Sequence, residues 1–268
     1  MSLRVTILGC GSSGGVPRVA VGWGKCDPAE PRNRRRRCSI LVERFGGGEG
    51  GATAVLVDVG PDLREQLLTA DVDRLDGVLL THDHADHTHG IDDLRPLVIQ
   101  MRQRIDVWSD ARTAEVVQSR FGYAFESPPG SDYPPILNDR RIELGRAVVI
   151  DGPGGAVEAL PIDLMHGKTY RALGFRFGDL AYTPDVNAIP DESVEDLRGL
   201  DVWIIDALRD TPHPTHFSLE DALGWIDRLK PRRAILTNLH TDLDYATLKR
   251  RLPPEIDVAF DGMVVEAR

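Results

Sequence analysis

The chain lacks the features that mark secreted or membrane-embedded proteins. It has only three cysteines in 268 residues, Cys10, Cys26 and Cys38, which cannot form a closed disulfide framework and are expected to be reduced thiols. No uncharged apolar stretch approaches the ~18 residues needed to span a bilayer, and the first residues enter an apolar run without a signal-peptide cleavage pattern. The sequence therefore predicts a cytoplasmic protein with no membrane partner.

Positive charge is also scarce. The chain carries 32 Lys and Arg against 42 Asp and Glu, which gives a formal net charge of −10. Because nucleic-acid backbones are held mainly by Lys and Arg, extensive nucleic-acid binding is not expected. A small anionic ligand that binds beside a metal remains compatible with this charge.

Apolar segments and helical periodicity alternate along the chain. Short apolar runs, such as residues 3–8, 77–80 and 202–205, predict strands, and periodic segments such as residues 111–120 and 219–229 predict helices. This alternation indicates an α/β protein, and Gly-rich hairpin turns favour mixed rather than purely parallel sheets. The Pro- and Gly-rich loop at residues 127–135 is too short to establish a boundary, so residues 1–268 are predicted to form one domain.

The densest cluster of chemically active side chains is the run from His82 to His87. It holds three histidines and two aspartates within six residues, and it follows the apolar run of residues 78–80 directly. In an extended step His82 and His84 point the same way, while the following turn brings Asp86 and His87 towards a second point. Imidazole and carboxylate ligands suit Zn²⁺, Mn²⁺ or Fe²⁺. The run therefore predicts a site for two cations at a strand end, and the alternative is a solvated polar loop.

The order His-x-His-x-Asp-His after a strand resembles the signature of the metallo-β-lactamase superfamily. That resemblance implies an αββα sandwich, with two mixed sheets packed between helices. It also implies two divalent transition-metal ions, Zn or Mn, and assigns the ligands. One metal would take His82, His84 and His166, the other would take Asp86, His87 and His240, and Asp185 would bridge them, while Asp58 would order the loop through hydrogen bonds.

The N-terminal stretch resembles one branch of this superfamily. Gly9, Gly11 and Gly14 have the spacing of a dinucleotide fingerprint, but the following Val-Pro breaks any helix there. The stretch is instead similar to the Gly-Ser-Gly-Val-Pro opening of PhnP-type cyclic phosphodiesterases, tRNase Z and PqqB-like proteins. Its role is left open between a tight hairpin and phosphate contact through Ser12 or Ser13.

A second segment of the same branch begins at His213. The sequence His-Pro-Thr-His-Phe-Ser resembles the His-Pro-Thr-His segment of PhnP-type enzymes. The resemblance implies that His216 reaches the scissile phosphate and that Asp206 orients it. These two residues and the expected metal ligand Asp86 are the candidate catalytic residues. The alternative is that His216 only precedes a helix capped by Ser218. The roles of His89 and His213 are left open.

Two departures from the PhnP pattern stand out. The Cys-x-Cys-x-x-Cys cage for a structural zinc is reduced to Cys26, and a lone thiolate cannot complete a tetrahedral site. A basic cluster follows, and it is interpreted either as a solvated face or as a phosphate-steering patch. Its members are Arg34, Arg35, Arg36 and Arg37.

These patterns predict a binuclear metal-dependent hydrolase. The expected reaction is cleavage of a small phosphodiester, of the cyclic ribose phosphate or nucleotide type, by a metal-bridged hydroxide. The competing interpretations are tRNA 3′ processing, thioester or lactam hydrolysis, and a non-catalytic PqqB-like binding or carrier protein. Homodimerisation is left open.

Overall fold

The strands of the protein assemble into two seven-stranded sheets. The computed structural model describes residues 3–46 and 51–267. From edge to edge, the first sheet contains β14 (Met263–Ala267), β1 (Leu3–Gly9), β2 (Ser39–Phe45), β3 (Ala52–Val57), β4 (Gly77–Leu79), β5 (Ile105–Ser109) and β6 (Leu137–Arg141). The second contains β13 (Ile256–Val258), β12 (Arg233–Thr237), β11 (Val202–Asp206), β10 (Leu180–Thr183), β9 (Arg171–Phe177), β8 (Val157–Met165) and β7 (Val148–Ile150).

Both sheets are mixed, and helices cover their outer faces. Strands β14 to β3 pair antiparallel and β3 to β6 parallel, while β7 to β10 pair antiparallel and β10 to β13 parallel. The helices are α1 (Leu63–Thr69), α2 (Ala85–Thr88), α3 (Arg95–Met101), α4 (Ala111–Phe121), α5 (Asp191–Val194), α6 (Leu219–Leu229) and α7 (Tyr245–Arg251). None of the helices in the described ranges is long and apolar enough to span a bilayer.

Three apolar clusters hold these layers together. The central cluster fills the space between the sheets with side chains such as Val57, Phe175 and Ile204. Leu67 of α1 and Val117 of α4 pack on the outside of the first sheet, and a third cluster joins α6 and α7 to the outside of the second. Removing this apolar surface from water is the main stabilising contribution to such a sandwich. The expected αββα architecture is confirmed.

Local sequence explains several element boundaries. The β2–β3 hairpin has the expected antiparallel register, with Phe45 opposite Ala52, and its predicted Gly-rich turn falls on residues 47–50, outside the described residues. Ser218 caps α6, where its side chain and that of Asp221 form a reciprocal capping box. The short strand Ile256–Val258 ends before Ala259 and Phe260, which lead into a turn.

The carboxyl ends of the parallel strands converge on one edge of the sandwich. Asp58 follows β3, His82 lies three residues beyond β4, Asp206 ends β11 and Asn238 follows β12. The carboxyl edge of parallel strands is the place where α/β folds gather their ligands. This convergence brings distant parts of the chain to a single site.

Candidate metal centre

The histidine-rich run changes conformation in its middle. His84 is extended, with φ −64° and ψ 151°, and is the N-cap residue of α2, whose first turn carries Asp86 and His87. His82 and His84 therefore lie on the strand side of the loop, and Asp86 and His87 lie on the helix side. The division into an extended step followed by a turn, expected from sequence, is confirmed.

Three histidines offer nitrogens to one point. Ligand atoms of His82, His84 and His166 lie within 4.8 Å of one another. The Nδ1 of His166 lies 2.7 Å from the carbonyl oxygen of Thr215, to which it donates, so its Nε2 carries the free lone pair. The Nε2 of His82 is buried and has no hydrogen-bond partner in the described part of the chain. Burial lowers the pKa of His82 well below its usual value, which favours the neutral imidazole that metals bind.

A second point is surrounded by His87 and two carboxylates. The Nε2 of His87 lies 3.4 Å from Asp86 Oδ2 and 3.3 Å from Asp185 Oδ1. Its other nitrogen, Nδ1, lies 2.7 Å from Asp58 Oδ2. Asp58 is fully buried and also accepts from the backbone N–H and the hydroxyl of Thr81. Asp58 therefore fixes the orientation of His87 and does not face the second point itself.

Asp185 lies between the two points. Its Oδ1 is the oxygen near His87, while its Oδ2 lies 3.6 Å from His166 Nε2 and 4.0 Å from His82 Nε2. One oxygen of the carboxylate thus faces each group of histidines. This is the arrangement that a bridging carboxylate requires.

His240 stands apart from these groups. It joins none of the clusters of three ligand atoms found within the described residues. Its Nδ1 lies 3.1 Å from Asp242 Oδ1, and its Nε2 lies 2.5 Å from a guanidinium nitrogen of Arg18. Nε2 of His240, the residue that the resemblance assigns to a metal, therefore accepts a hydrogen bond from Arg18 in this structure.

His216 is held by Asp206 at the edge of the ligand cluster. Its Nδ1 lies 2.8 Å from Asp206 Oδ2 and 3.8 Å from Asp185 Oδ2. The closer contact engages Nδ1 with Asp206 and leaves Nε2 for a substrate. Burial lowers the pKa of His216, but the charge and hydrogen bond of Asp206 outweigh burial and raise that pKa to about 9. The expected pairing of His216 with Asp206 is present.

Asn238 belongs to this network although its sequence context gave little indication of it. Its side-chain amide donates to the carbonyl oxygen of Pro184 at 2.8 Å and lies 3.3 Å from Asp185 Oδ1. Asn238 and Asp58 have positive φ values of 59° and 64°, a backbone region that costs energy for residues other than glycine. Both residues contact the ligand cluster through their side chains. The sequence signal that could have identified Asn238 is its position as a polar residue directly after the buried strand β12.

Tyr170 is a further residue that the sequence did not single out. Its ring stacks on His84 at 4.8 Å with an interplanar angle of 18°. The guanidinium of Arg112 also lies over the ring of Tyr170, 4.1 Å from the ring centroid, and Arg112 Nε lies 3.7 Å from Asp83 Oδ2. These contacts restrict the rotation of His84 on the solvent side of the cluster.

The N-terminal glycines serve close packing. An added Cβ at Gly9 would lie 2.0 Å from the carbonyl oxygen of Arg37, and no helix begins at Gly14. This stretch therefore lacks the strand–turn–helix form that a dinucleotide fingerprint requires. Ser12 is buried with a hydroxyl that has no hydrogen-bond partner in the described ranges, whereas Ser13 is exposed.

The arginine cluster is largely built into the fold. Arg35 is 2% exposed and donates to the carbonyl oxygens of Leu243 and His240, so a solvated face is the wrong interpretation for this residue. Arg36 pairs with Asp261 and Arg37 with Asp62, and Arg34 alone of the four is classed as exposed. The cluster mainly fastens the N-terminal loops to the C-terminal segment.

The remaining sequence candidates have ordinary contacts. His89 is exposed and touches the edge of Phe121, which supports loop packing. His213 lies 3.2 Å from the hydroxyl of Thr215 and forms a ring contact with His216. Cys26 is buried and donates to the carbonyl oxygen of Thr241. No cysteine enters the ligand clusters of the described residues.

The donor set fits divalent transition metals. Neutral imidazoles and carboxylates are ligands for Zn²⁺ and Mn²⁺, and the buried, unpartnered Nε2 of His82 is the kind of atom that a cation satisfies. His82, His84 and His166 suit one cation. Asp86 and His87 suit a second, with Asp185 between the two.

Comparisons with known proteins agree with this geometry. A sequence model of the beta-lactamase superfamily domain matches residues 53–238. A protein of Porphyromonas gingivalis named octanoyltransferase is 32% identical over 97% of this chain and 51% of its own length. The chain thus spans about half the length of that curated relative.

Solved structures show the same fold along the whole chain. The crystal structure of a diphosphatase from the PhnP family is 34% identical, with a TM-score of 0.87 over 100% of this chain and 98% of that one. Zn²⁺-bound PqqB from Methylobacterium extorquens is 19% identical, with a TM-score of 0.72 over 98% and 99% of the two chains, which shows a shared fold alone. The fold has two mixed sheets and a histidine-rich loop after β4, as the sequence and structure comparisons would require. The chain is therefore a PhnP-like member of the metallo-β-lactamase superfamily of hydrolases.

Proposed function

We propose that the protein hydrolyses small phosphodiesters of the cyclic ribose phosphate or nucleotide type. The observation that carries this proposal is the His216–Asp206 pair, which lies beside the ligand cluster, with His216 Nδ1 3.8 Å from Asp185 Oδ2. A histidine held in this way adds a proton donor to a metal site. Proton donation to a leaving oxygen contributes typically ~100- to 10,000-fold to a rate.

The ligand cluster would hold two cations. His82, His84 and His166 would bind one, and Asp86 and His87 the other, with Asp185 between the two groups of ligands. The resemblance adds His240 to the second set, where its Nε2 would exchange the hydrogen bond from Arg18 for the cation. Bound there, the cations would supply Lewis acidity and lower the pKa of water from about 15.7 towards ~7, so that hydroxide is present at neutral pH. The chain's own contribution is orientation: Asp58 fixes His87, Thr215 fixes His166, and Tyr170 stacks on His84.

His216 would act on the leaving group. Because Asp206 engages Nδ1, the proton that His216 gives to the substrate is carried by Nε2. The Asp206 carboxylate raises the pKa of His216 against the effect of burial, which keeps the imidazole protonated at neutral pH. Its positive charge also stabilises the negative charge that develops on the phosphoryl oxygens.

A second candidate is hydrolysis of a diphosphate bond. The PhnP-family relative that is 34% identical over the full chain is called a diphosphatase. A diesterified diphosphate presents the same kind of centre as a phosphodiester, a phosphorus atom joined to two substituents through oxygen. The same residues would serve both reactions. The name octanoyltransferase belongs to a protein about twice as long and supports no acyl-transfer proposal for this chain by itself.

Turnover separates a hydrolase from a binding or carrier protein with the same ligands. Metal-loaded protein is mixed with bis(4-nitrophenyl) phosphate, a 2′,3′-cyclic nucleotide and a diester of diphosphate, and product is measured for each. We expect metal-dependent release of product from the first two substrates. Metal-loaded protein that binds them without any turnover would favour the carrier role, and turnover of the diphosphate alone would favour the second candidate.

A further inference from the structure

Three polar side chains lie at the carboxyl ends of three adjacent strands. Strands β10, β11 and β12 are neighbours in the second sheet and run parallel to one another. Asp185 lies two residues beyond β10, Asp206 ends β11, and Asn238 follows β12 directly. All three side chains are buried, so their polar atoms depend on partners within the protein. Asp185 faces both points of the ligand cluster and Asp206 holds His216. Asn238 has no part yet in the proposed reaction.

The side chain of Asn238 extends past the end of β11 to the loop after β10. Its amide nitrogen lies 2.8 Å from the carbonyl oxygen of Pro184 and 3.3 Å from Asp185 Oδ1. A primary amide carries two N–H donors, so these two acceptors use both of them. Oδ1 is the oxygen of Asp185 that faces His87. The hydrogen bond from Asn238 therefore acts on the carboxylate oxygen at the second point.

The same amide nitrogen lies beside His216, which has two carboxylates within reach. The amide nitrogen is 3.1 Å from His216 Nδ1, and that ring nitrogen lies 2.8 Å from Asp206 Oδ2 and 3.8 Å from Asp185 Oδ2. A protonated Nδ1 has one N–H, which it donates to Asp206. An approach of about 1 Å would bring Asp185 into hydrogen-bond distance of the same nitrogen. Asp185 would then lose the position in which one of its oxygens faces each group of histidines.

We propose that Asn238 is a positioning residue that holds Asp185 at the cation sites and away from His216. The hydrogen bond to Oδ1 resists the rotation that would carry Oδ2 of the same carboxylate to the imidazole, and so leaves His216 to Asp206. Hydrogen-bond partners of this kind orient the ligands of metal sites. Because this role assumes that Asp185 bridges two cations, the inference rests on the proposed function and adds a residue that arranges its ligands.

Two variants remove the amide but differ at the backbone. The φ of 59° at Asn238 suits glycine and disfavours alanine, so Asn238→Gly and Asn238→Ala should differ in thermal stability. Both lack the hydrogen bond to Asp185. Each metal-free protein is titrated with Zn²⁺ against a chromophoric chelator. Both variants should bind the second equivalent of Zn²⁺ ~10- to 100-fold more weakly than wild type, as is typical when an orienting partner is lost. The first equivalent should be weakened by a smaller factor, because the amide contacts the oxygen at the second point.

Matched controls separate this role from general effects of the substitutions. Asn138→Ala removes another amide that donates to an aspartate, since Asn138 lies 2.8 Å from Asp106 Oδ1 on the first sheet. Lys230→Gly places glycine at another positive φ, 49°, at the end of α6. Both controls should bind Zn²⁺ like wild type. Thermal unfolding of every variant confirms that it is folded before its affinity is compared.

Asn238 and His216 should also be energetically coupled. In a His216→Ala background, Asp185 has no competing donor at residue 216. Asn238→Gly should therefore weaken the second equivalent of Zn²⁺ by a clearly smaller factor in that background than in wild type. A residue that merely supports the fold would cause the same loss in both backgrounds.

Three results would overturn the inference while the proposed function stands. They are an affinity of Asn238→Gly for the second equivalent within about twofold of wild type, an equal loss of both equivalents, and an equal loss in the two backgrounds. A wild-type protein that binds a single Zn²⁺ would contradict the proposed two-cation site instead. A crystal structure of metal-free Asn238→Gly then decides the inference. We expect Asp185 Oδ2 within hydrogen-bond distance of His216 Nδ1, and an Asp185 that keeps its position would rule out the proposed role of Asn238.

Discussion

Asp206 lies with its Oδ2 2.8 Å from Nδ1 of His216, and this contact joins the end of a buried strand to the rim of the ligand cluster. Asp206 is fully buried, and burial raises its pKa to about 7 even though the charge of His216 lowers it. In return, the carboxylate raises the pKa of His216 to about 9 against the effect of burial. Of the neighbouring charges, each of these two groups has the largest effect on the pKa of the other.

Because Asp206 raises the pKa of His216, the pH dependence of kcat should change when Asp206 is replaced. With a substrate that has a poor leaving group, kcat should fall as pH rises through the pKa of His216, because the imidazole loses the proton it donates. Asp206→Asn removes the charge that raises this pKa, so the falling limb should move to lower pH. The matched control is Asp227→Asn, an exposed aspartate on α6. If kcat falls over the same pH range in Asp206→Asn as in wild type, a group other than His216 causes the fall.

Purified protein should contain about two transition-metal ions per chain. The two groups of ligand atoms share Asp185, and the sulfur of Cys26 donates to a backbone carbonyl oxygen and joins neither group. Elemental analysis of wild type and Cys26→Ser should give the same ratio. A third equivalent that disappears in Cys26→Ser would mean that this thiol binds a structural metal.

Asp58 should affect metal affinity without touching metal. It accepts from His87 Nδ1 and from Thr81, and so fixes the ring of a proposed ligand. Loss of such an orienting partner typically costs ~10- to 100-fold in metal affinity, so Asp58→Asn should need correspondingly more free Zn²⁺ to reach half occupancy in a competition titration. Asp73→Asn, an exposed aspartate after α1, is the control. Equal Zn²⁺ affinities of wild type and Asp58→Asn would show that Asp58 does not orient a metal ligand.

The sequence was most informative where the chemistry is local. The ligand run from His82 to His87 spans six residues, so its chemistry could be recognised without knowledge of the fold. Resemblance then located His166, which follows β8, and Asp185, which follows β10. The structure places His166 Nε2 3.6 Å from Asp185 Oδ2. His216 and Asp206 are only ten residues apart, and their contact could also be anticipated.

Contacts between distant loops were beyond prediction. Arg18 and His240 are 222 residues apart, and no periodicity encodes which loop meets which. Arg35 appeared to belong to a solvated basic face, but its buried guanidinium finds backbone carbonyl oxygens more than 200 residues away. Strand β8 contains Pro161, which interrupts its apolar alternation, and β6 is mostly polar and pairs with β5, so neither strand has a clear sequence pattern.

Substrate size should show in the salt dependence of turnover. Each neutralised phosphate contributes a slope of about −0.9 for duplex and about −0.7 for single strands to a plot of log affinity against log salt, and a ligand with one or two phosphates gives a shallow line. We expect a higher kcat/KM for a 2′,3′-cyclic nucleotide than for a precursor tRNA, each measured at low and moderate salt. Faster, steeply salt-sensitive cleavage of the tRNA would assign the protein to RNA processing.

We propose that His216 donates a proton at a metal-dependent phosphodiesterase site, and kcat of His216→Ala at equal metal content tests this role most sharply. With a 2′,3′-cyclic nucleotide, whose leaving oxygen needs a proton, kcat should fall by ~100-fold or more. With bis(4-nitrophenyl) phosphate, whose leaving group needs none, the loss should be much smaller. Near wild-type kcat of His216→Ala on the cyclic nucleotide would show that His216 does not donate this proton.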